Sequence, residues 1–143
     1  MINSVLERDM IQIASEVDSW EDAIKKAAEP LIKKNYINQH YVQAMIKSVK
    51  KLGPYIVIAP GIAIAHARPE EGVMKMGISL LKIDHCIPFS DNGHHVSLVF
   101  VLAALDSTSH LNILSKLAEV LSDDERMSQI KNASSVDQIL QVV

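Results

Sequence analysis

Residues Pro60–Pro69 read PGIAIAHARP and follow the apolar run Tyr55–Ile58. Small and large side chains alternate here, which is typical of a β-strand with one crowded and one open face. The alternation predicts a short strand over Ile62–His66, with His66 on the same face as the two isoleucines. Pro69 cannot extend a strand interior and should end it. We therefore expect an imidazole that is rigidly backed and open on one side.

This histidine admits two interpretations. A rigidly held, uncrowded imidazole at a strand end suits a nucleophile that a large partner must reach. The alternative is a half-buried strand residue with no chemical role. The spacing alone favours that second interpretation, because short motifs are weak evidence.

Arg68 lies two residues after His66, a spacing that puts side chains of a strand on one face. A guanidinium there can bind two phosphate oxygens at once. The alternative is a surface ion pair with Glu70 or Glu71, which would contribute little to stability.

His110 follows a different pattern. Residues 96–102 are nearly all apolar and predict a central strand covered on both faces. Asp106–Ser109 are helix-capping residues, so His110 should lie in the first turn of the next helix. Strand ends and helix starts cluster at ligand crevices, and free N–H groups at a helix start favour a phosphoryl group. The alternative is an exposed histidine without a role, and the sequence leaves the choice open.

Composition excludes several classes of protein. The 143 residues fit a single domain over 1–143, and a net charge of −3 argues against nucleic acid as a partner. Cys86 is the only cysteine, so no disulfide framework or cysteine-rich metal site is expected. The six histidines lack chelating spacing, and we expect no metal or other cofactor. No apolar run approaches 18 residues, so we expect a cytoplasmic protein without membrane insertion.

Hydrophobic periodicity predicts the remaining elements. In chain order they are an edge strand at Met10–Ala14, a helix capped at Asp18 that Pro30 kinks or splits, a helix from Asn38 to Gly53, a strand at Val73–Ile83, a loop or hairpin connection at Asp84–His95, and three C-terminal helices. The first of these three is expected to bury Leu111, Leu114, Leu117, Ala118 and Leu121. Helices on both sides of apolar strands, with some connections too short for crossovers, predict an α/β fold: a three-layer α/β/α sandwich with a mixed sheet of about five strands.

Several stretches together resemble one family. Pro60–Val73, PGIAIAHARPEEGV, resembles the phosphohistidine motif of the enzyme IIA domains of the bacterial phosphoenolpyruvate-dependent sugar phosphotransferase system, in the mannitol/fructose superfamily. A histidine between a buried strand and a leucine-rich helix is the second family mark, and Val96–Leu121 with His110 matches it. Tyr41–Met45 also resembles the family. The resemblance covers nearly the whole chain in the same order.

Within that superfamily, Gly53–Gly61 and His66–Val73 look most like the ascorbate-type branch. Two positions depart from the family pattern. Ser48 stands where the mannitol and fructose branches usually carry an arginine, and the ascorbate branch suggests that Arg68 substitutes for it. Ala65 stands where the family commonly has proline before the histidine, which leaves the nucleophile itself in place.

The resemblance implies a phosphocarrier enzyme. His66 would accept a phosphoryl group from the phosphocarrier protein HPr and pass it to a cysteine of enzyme IIB, which serves the membrane enzyme IIC in sugar uptake. His110 would lie beside His66 and bind the phosphoryl oxygens or fix the ring, without a cofactor. Two alternatives remain: a regulatory module whose phosphorylation controls another protein, and a non-catalytic interaction domain with a structural His66.

Overall fold

The computed structural model describes residues 6–90 and 93–143. Its strands are β1 Ile11–Ala14, β2 Val57–Ala59, β3 Gly61–Ala65, β4 Gly77–Ser90 and β5 Gly93–Ala103. Its α-helices are α1 Trp20–Lys33, α2 Gln39–Leu52, α3 Ser107–Leu121, α4 Asp124–Asn132 and α5 Val136–Val142. The strands form one mixed sheet in the order β1-β4-β5-β3-β2. Helices cover the sheet as the sequence predicts, so the α/β/α sandwich with a mixed sheet of about five strands is confirmed.

The centre of the sheet is β5, as the apolar run over residues 96–102 predicts. It pairs antiparallel with β4 and parallel with β3. Residues 98–103 are all buried. The edge position predicted for the first strand is also confirmed, because among the described strands β1 pairs with β4 alone. Because β5 is buried along its length, its chain reaches solvent only where the strand ends. The candidate site lies at that end.

Pro30 lies inside the continuous helix α1, so of the two predicted outcomes, a kink or a split, the split does not occur. Proline lacks the N–H that would bond to the carbonyl oxygen of Lys26 four residues earlier. The side-chain amide of Gln12, on β1, donates to that oxygen over 2.6 Å instead. The compensating donor comes from a distant part of the chain, so the local pattern could not reveal it.

Capping residues set the bounds of α1 and α2. The N-cap of α1 is Ser19, one residue after the predicted Asp18, and its hydroxyl accepts the Asp22 N–H. Asn38 caps α2 as predicted, and its side-chain oxygen accepts the Tyr41 N–H over 3.0 Å. Gly53 ends α2 with a φ of +89°, a conformation that favours glycine.

The long strand β4 differs from the prediction at both ends. Val73, the expected start of the strand Val73–Ile83, forms only an isolated bridge with Ile37. The expected connection Asp84–His95 lies mostly in β4 and β5, apart from positions 91 and 92, which are outside the described residues. Pro88 is tolerated because a register shift between the two strands lies just before it. Of the two predicted forms, a loop or a hairpin connection, the antiparallel pairing of β4 with β5 up to Ser90 and Gly93 supports the hairpin.

The buried face of α3 is rotated from the predicted one. Leu111 was expected in the core but is 64% exposed. The fully buried side chains of α3 are Ile113, Leu117 and Val120. These three residues face the core, and Leu111 lies at the surface next to His110 in sequence.

Candidate active site

The site lies where the parallel strands β3 and β5 end. Their last paired residues are Ala65 and Val101. Beyond this point one chain continues into His66 and the other turns into α3, whose first turn carries His110. The two imidazole rings are 5.5 Å apart between centroids, with their planes at 61°. The structure thus brings together two histidines that are distant in sequence.

His66 follows β3 directly rather than ending it, one residue beyond the strand's last residue. Its Nδ1 atom lies 3.0 Å from the carbonyl oxygen of Ile64. A carbonyl oxygen only accepts hydrogen bonds, so Nδ1 carries the proton and donates it. The other ring nitrogen, Nε2, bonds to no group among the described residues and keeps its lone pair.

His110 is held by a capped helix start. The Asp106 carboxylate accepts the Ser109 N–H over 2.8 Å, and the Ser109 hydroxyl accepts the Asp106 N–H in return. Hydrogen bonds that the exposed Asp106 carboxylate accepts from Ser109, first from its backbone N–H and then from its side chain, hold the pKa of this carboxyl below its usual range. The cap therefore persists at neutral pH and fixes the first turn on which His110 stands.

The surroundings of His110 keep its ring neutral. Partial burial and, secondly, the charge of nearby His66 hold the pKa of His110 below its usual value of 6.5. A neutral imidazole has one N–H that can donate and one nitrogen that can accept. At neutral pH, His110 can therefore offer a hydrogen-bond donor to an anion beside His66.

Arg68 and His66 line the same cleft of about 600 Å³ between α2 and the chain after β3. Arg68 is exposed, and no ion pair of it is found in residues 6–90 and 93–143. The carboxylate that could have neutralised it, Glu71, instead lies 3.3 Å from His40 Nδ1. The guanidinium is therefore available to an anion bound at His66.

Two lysines add to the positive charge of this cleft. Lys47 and Lys51 line it from one face of α2, four residues apart. Ser48 lines it as well. The cleft around His66 is therefore rich in cations although the whole chain carries a net charge of −3.

Two side chains with large apolar surfaces, Tyr55 and Leu52, line the cleft together with His66. The Tyr55 ring stands edge-on to it, with centroids 5.8 Å apart and planes at 87°. Leu52, at the end of α2, lines the cleft and is 67% exposed. Apolar groups at this distance limit the access of water once a partner covers the cleft.

The Tyr41 side chain, for which the sequence predicts no role, connects the two backbone segments of the site. Its hydroxyl accepts the Ala67 N–H over 3.0 Å and donates to the Leu102 carbonyl over 2.7 Å. Burial raises the pKa of Tyr41 to about 12, so the phenol keeps its proton. The one available signal was the family-like stretch Tyr41–Met45, because hydrogen bonds to distant backbone leave no local pattern.

The described residues contain neither a candidate metal site nor a candidate membrane-spanning helix. No group of three or more His, Cys, Asp or Glu side chains in residues 6–90 and 93–143 is arranged to hold a metal ion. No helix in the same residues is long and apolar enough to cross a membrane.

Comparison with known proteins relates the whole chain to one family. The model of the family "Phosphoenolpyruvate-dependent sugar phosphotransferase system, EIIA 2" matches residues 4–143. The mannitol-specific cryptic phosphotransferase enzyme IIA component of Escherichia coli K12 is 35% identical over 133 residues, covering 93% of this chain and 90% of the relative. The ascorbate-specific EIIA component of the same strain is 29% identical over 143 residues, covering 99% and 93%.

Solved structures agree in fold. The solution structure of the mannitol-specific cryptic enzyme IIA of E. coli superposes with a TM-score of 0.92 at 33% identity, covering 99% of this chain and 96% of that one. A complex of the E. coli mannitol enzyme IIA with phosphorylated enzyme IIB matches with a TM-score of 0.82 at 25% identity, covering 96% and 97%. The chain therefore belongs to the EIIA 2 family of the phosphoenolpyruvate-dependent sugar phosphotransferase system, and it is a phosphotransferase with a phosphohistidine intermediate.

Proposed function

We propose that His66 is the phosphorylated residue and that Nε2 is its nucleophilic atom. The observation that carries this proposal is the hydrogen bond from His66 Nδ1 to the Ile64 carbonyl. It holds the proton on Nδ1 and leaves the Nε2 lone pair free, in a residue that lines an open cleft. An imidazole in this tautomer attacks a phosphoryl group without first losing a proton.

The proposal comprises two transfers. In the first, His66 Nε2 forms a bond to the phosphorus of phospho-HPr while the N–P bond of HPr breaks and its imidazole leaves. In the second, a cysteine thiolate of enzyme IIB forms a bond to phosphorus while the Nε2–P bond breaks, which restores neutral His66. Phosphoryl transfer has a loose transition state, so the protein contributes positioning and charge stabilisation.

His110 and Arg68 stabilise the transferred group in this proposal. The neutral imidazole of His110 donates an N–H to a phosphoryl oxygen, as its distance from His66 allows. Arg68 supplies positive charge from the same cleft. It takes the part of the family arginine that is absent at Ser48, a position that also faces this cleft.

The partners in the proposal are HPr as donor and enzyme IIB as acceptor, with the membrane enzyme IIC. The complex of a related enzyme IIA with phosphorylated enzyme IIB supports the acceptor. The chain would work in the cytoplasm, because it must share a compartment with its donor. For the sugar we propose the ascorbate type, from the resemblance of Gly53–Gly61 and His66–Val73. The mannitol-type relative has the higher overall identity, so the acceptor must be tested directly.

The test is intact-mass analysis after incubation with phosphoenolpyruvate, enzyme I and HPr. The wild type should gain one acid-labile phosphoryl group, whereas His66→Gln should gain none while HPr is phosphorylated in both reactions. An unmodified wild type beside phosphorylated HPr would contradict the proposal. Ascorbate-type and mannitol-type enzymes IIB are then added in separate reactions to identify the acceptor. A phosphorylated chain that transfers to neither would favour the regulatory module.

A further inference from the structure

The Tyr41 side chain crosses from α2 to the end of the sheet and is almost entirely buried, with 1% of its surface exposed. Its hydroxyl has one proton to donate. The shortest contact, 2.7 Å, is to the Leu102 carbonyl, and the Ala67 N–H points at the hydroxyl oxygen from 3.0 Å. The phenol is thus a bridge between two backbone segments that approach from different strands.

This bridge lies where the ladder between β3 and β5 ends. The last paired residues are Ala65 and Val101. One step further, the hydroxyl joins the N–H of Ala67 to the carbonyl of Leu102 and takes the place of a direct backbone bond. The hydroxyl is therefore inserted between the two backbone groups, 3.0 Å from the Ala67 nitrogen and 2.7 Å from the Leu102 oxygen.

We infer that Tyr41 is a positioning residue that sets the spacing between His66 and His110 for phosphoryl transfer. The inference rests on the proposed function. Ala67 is the residue after His66, and Leu102 lies on the strand that leads into the helix of His110. The only side chain that bridges these two segments at the end of the ladder, within the described residues, is Tyr41.

The hydroxyl matters here more than the ring. Phenylalanine would fill the same volume but leave a buried N–H and a buried C=O without their partner, which is costly. Those groups would then bond to each other or admit water, and either change moves the two histidines relative to one another. Because the pKa of Tyr41 is about 12, its hydroxyl stays protonated at neutral pH.

The test compares Tyr41→Phe with Tyr36→Phe, which removes a phenol hydroxyl away from the histidines. Rapid-quench transfer from phospho-HPr should show kcat lowered by about 10- to 50-fold in Tyr41→Phe, with KM for HPr within about 2-fold, because misplacement affects the reacting geometry and not docking. ¹⁵N NMR titration should show the pKa of His110 displaced from its wild-type value, since its burial and its distance from His66 change. Tyr36→Phe should change neither quantity.

Two results would overturn the inference. One is a folded Tyr41→Phe protein with wild-type kcat. The other is an equal fold-loss from Tyr41→Phe in the wild type and in the His110→Ala background, because a residue that acts through the histidine spacing should lose its effect when His110 is absent.

A second variant covers the case in which Tyr41→Phe fails to fold. Replacing Ala67 by its α-hydroxy acid analogue puts an ester oxygen in place of the N–H that Tyr41 accepts and leaves the phenol ring unchanged. It should lower kcat in the same direction, and unchanged kcat would overturn the inference. If the wild type takes no phosphate at all, the proposed function fails, and the His110 titration alone then decides whether Tyr41 sets the spacing.

Discussion

Histidines lie at both ends of the sheet, and only one end brings two of them together. Where β3 and β5 finish, His66 and His110 are 5.5 Å apart and border open clefts. Toward the opposite end, His85 and His94 each bond a nearby serine instead. His95 is exposed beside His94 on the same strand.

The difference comes from the direction of the strands. Parallel strands end on the same side of the sheet, so residues from distant segments of the chain converge there. The other end is the β4–β5 ribbon, in which successive side chains alternate between faces. Histidine content is therefore a poor guide to a site, and the convergence of two strand ends is a better one.

The largest expected effect is the loss of phosphoryl transfer when the histidine at the β3–β5 end of the sheet is replaced. His66→Gln should lower phosphoryl transfer from phospho-HPr by about 10⁴-fold or more, because the attacking nitrogen is removed. His95→Gln, the matched change at the far end, should stay within about 2-fold of wild type. Rapid-quench assays measure both. A comparable loss in His95→Gln would mean that the far end takes part in the reaction.

Removing His110 should have the next largest effect. His110→Ala should slow transfer by about 10²-fold, because a donor to the developing charge on the phosphoryl oxygens is lost. His94→Ala serves as the control, and circular dichroism should show both variants folded. Wild-type rates in a folded His110→Ala protein would make this histidine a bystander.

A smaller effect is expected for Arg68→Gln, which should lower kcat/KM by about 10-fold through loss of a charge-assisted contact. Arg68→Lys should recover part of that loss, because lysine restores the charge but not the two-point geometry. Lys50→Gln is the matched control, since Lys50 is exposed on α2 but is not among the residues lining the cleft. Equal losses in Arg68→Gln and Lys50→Gln would point to a general charge effect.

The smallest effect concerns the titration of His110. In wild type its pKa should lie below 6.5, and in His66→Gln it should rise only part of the way back, since burial is the larger cause. The sign follows from charge: removing a group that becomes cationic beside His110 makes its protonation easier. ¹⁵N NMR titration measures the change, with His95→Gln as the control. A full return to 6.5 would show that His66, and not burial, controls this pKa.

Local patterns predicted much of the fold but failed where distant groups intervene. The apolar run of β5 and the Asn38 cap were predicted correctly because each depends on neighbouring residues. The predicted split at Pro30 does not occur, and a donor to the free carbonyl comes from Gln12 on the distant strand β1. The exposed Leu111 was misjudged because helix periodicity does not show how a helix is rotated on its sheet.

The sequence by itself determined the family, the stretch that presents His66, and the position of His110 in a capped first turn. These depend on residue order and on interactions within a few positions. Only the tertiary structure decided that the two rings meet, that Nδ1 of His66 holds the proton, and that the Tyr41 hydroxyl lies between Ala67 and Leu102. The ring contact depends on how β3, β5 and α3 pack, and the Tyr41 bridge depends on how α2 packs on the strand ends. The Nδ1 bond spans only two residues, but it requires one orientation of the His66 ring, which residue order does not specify.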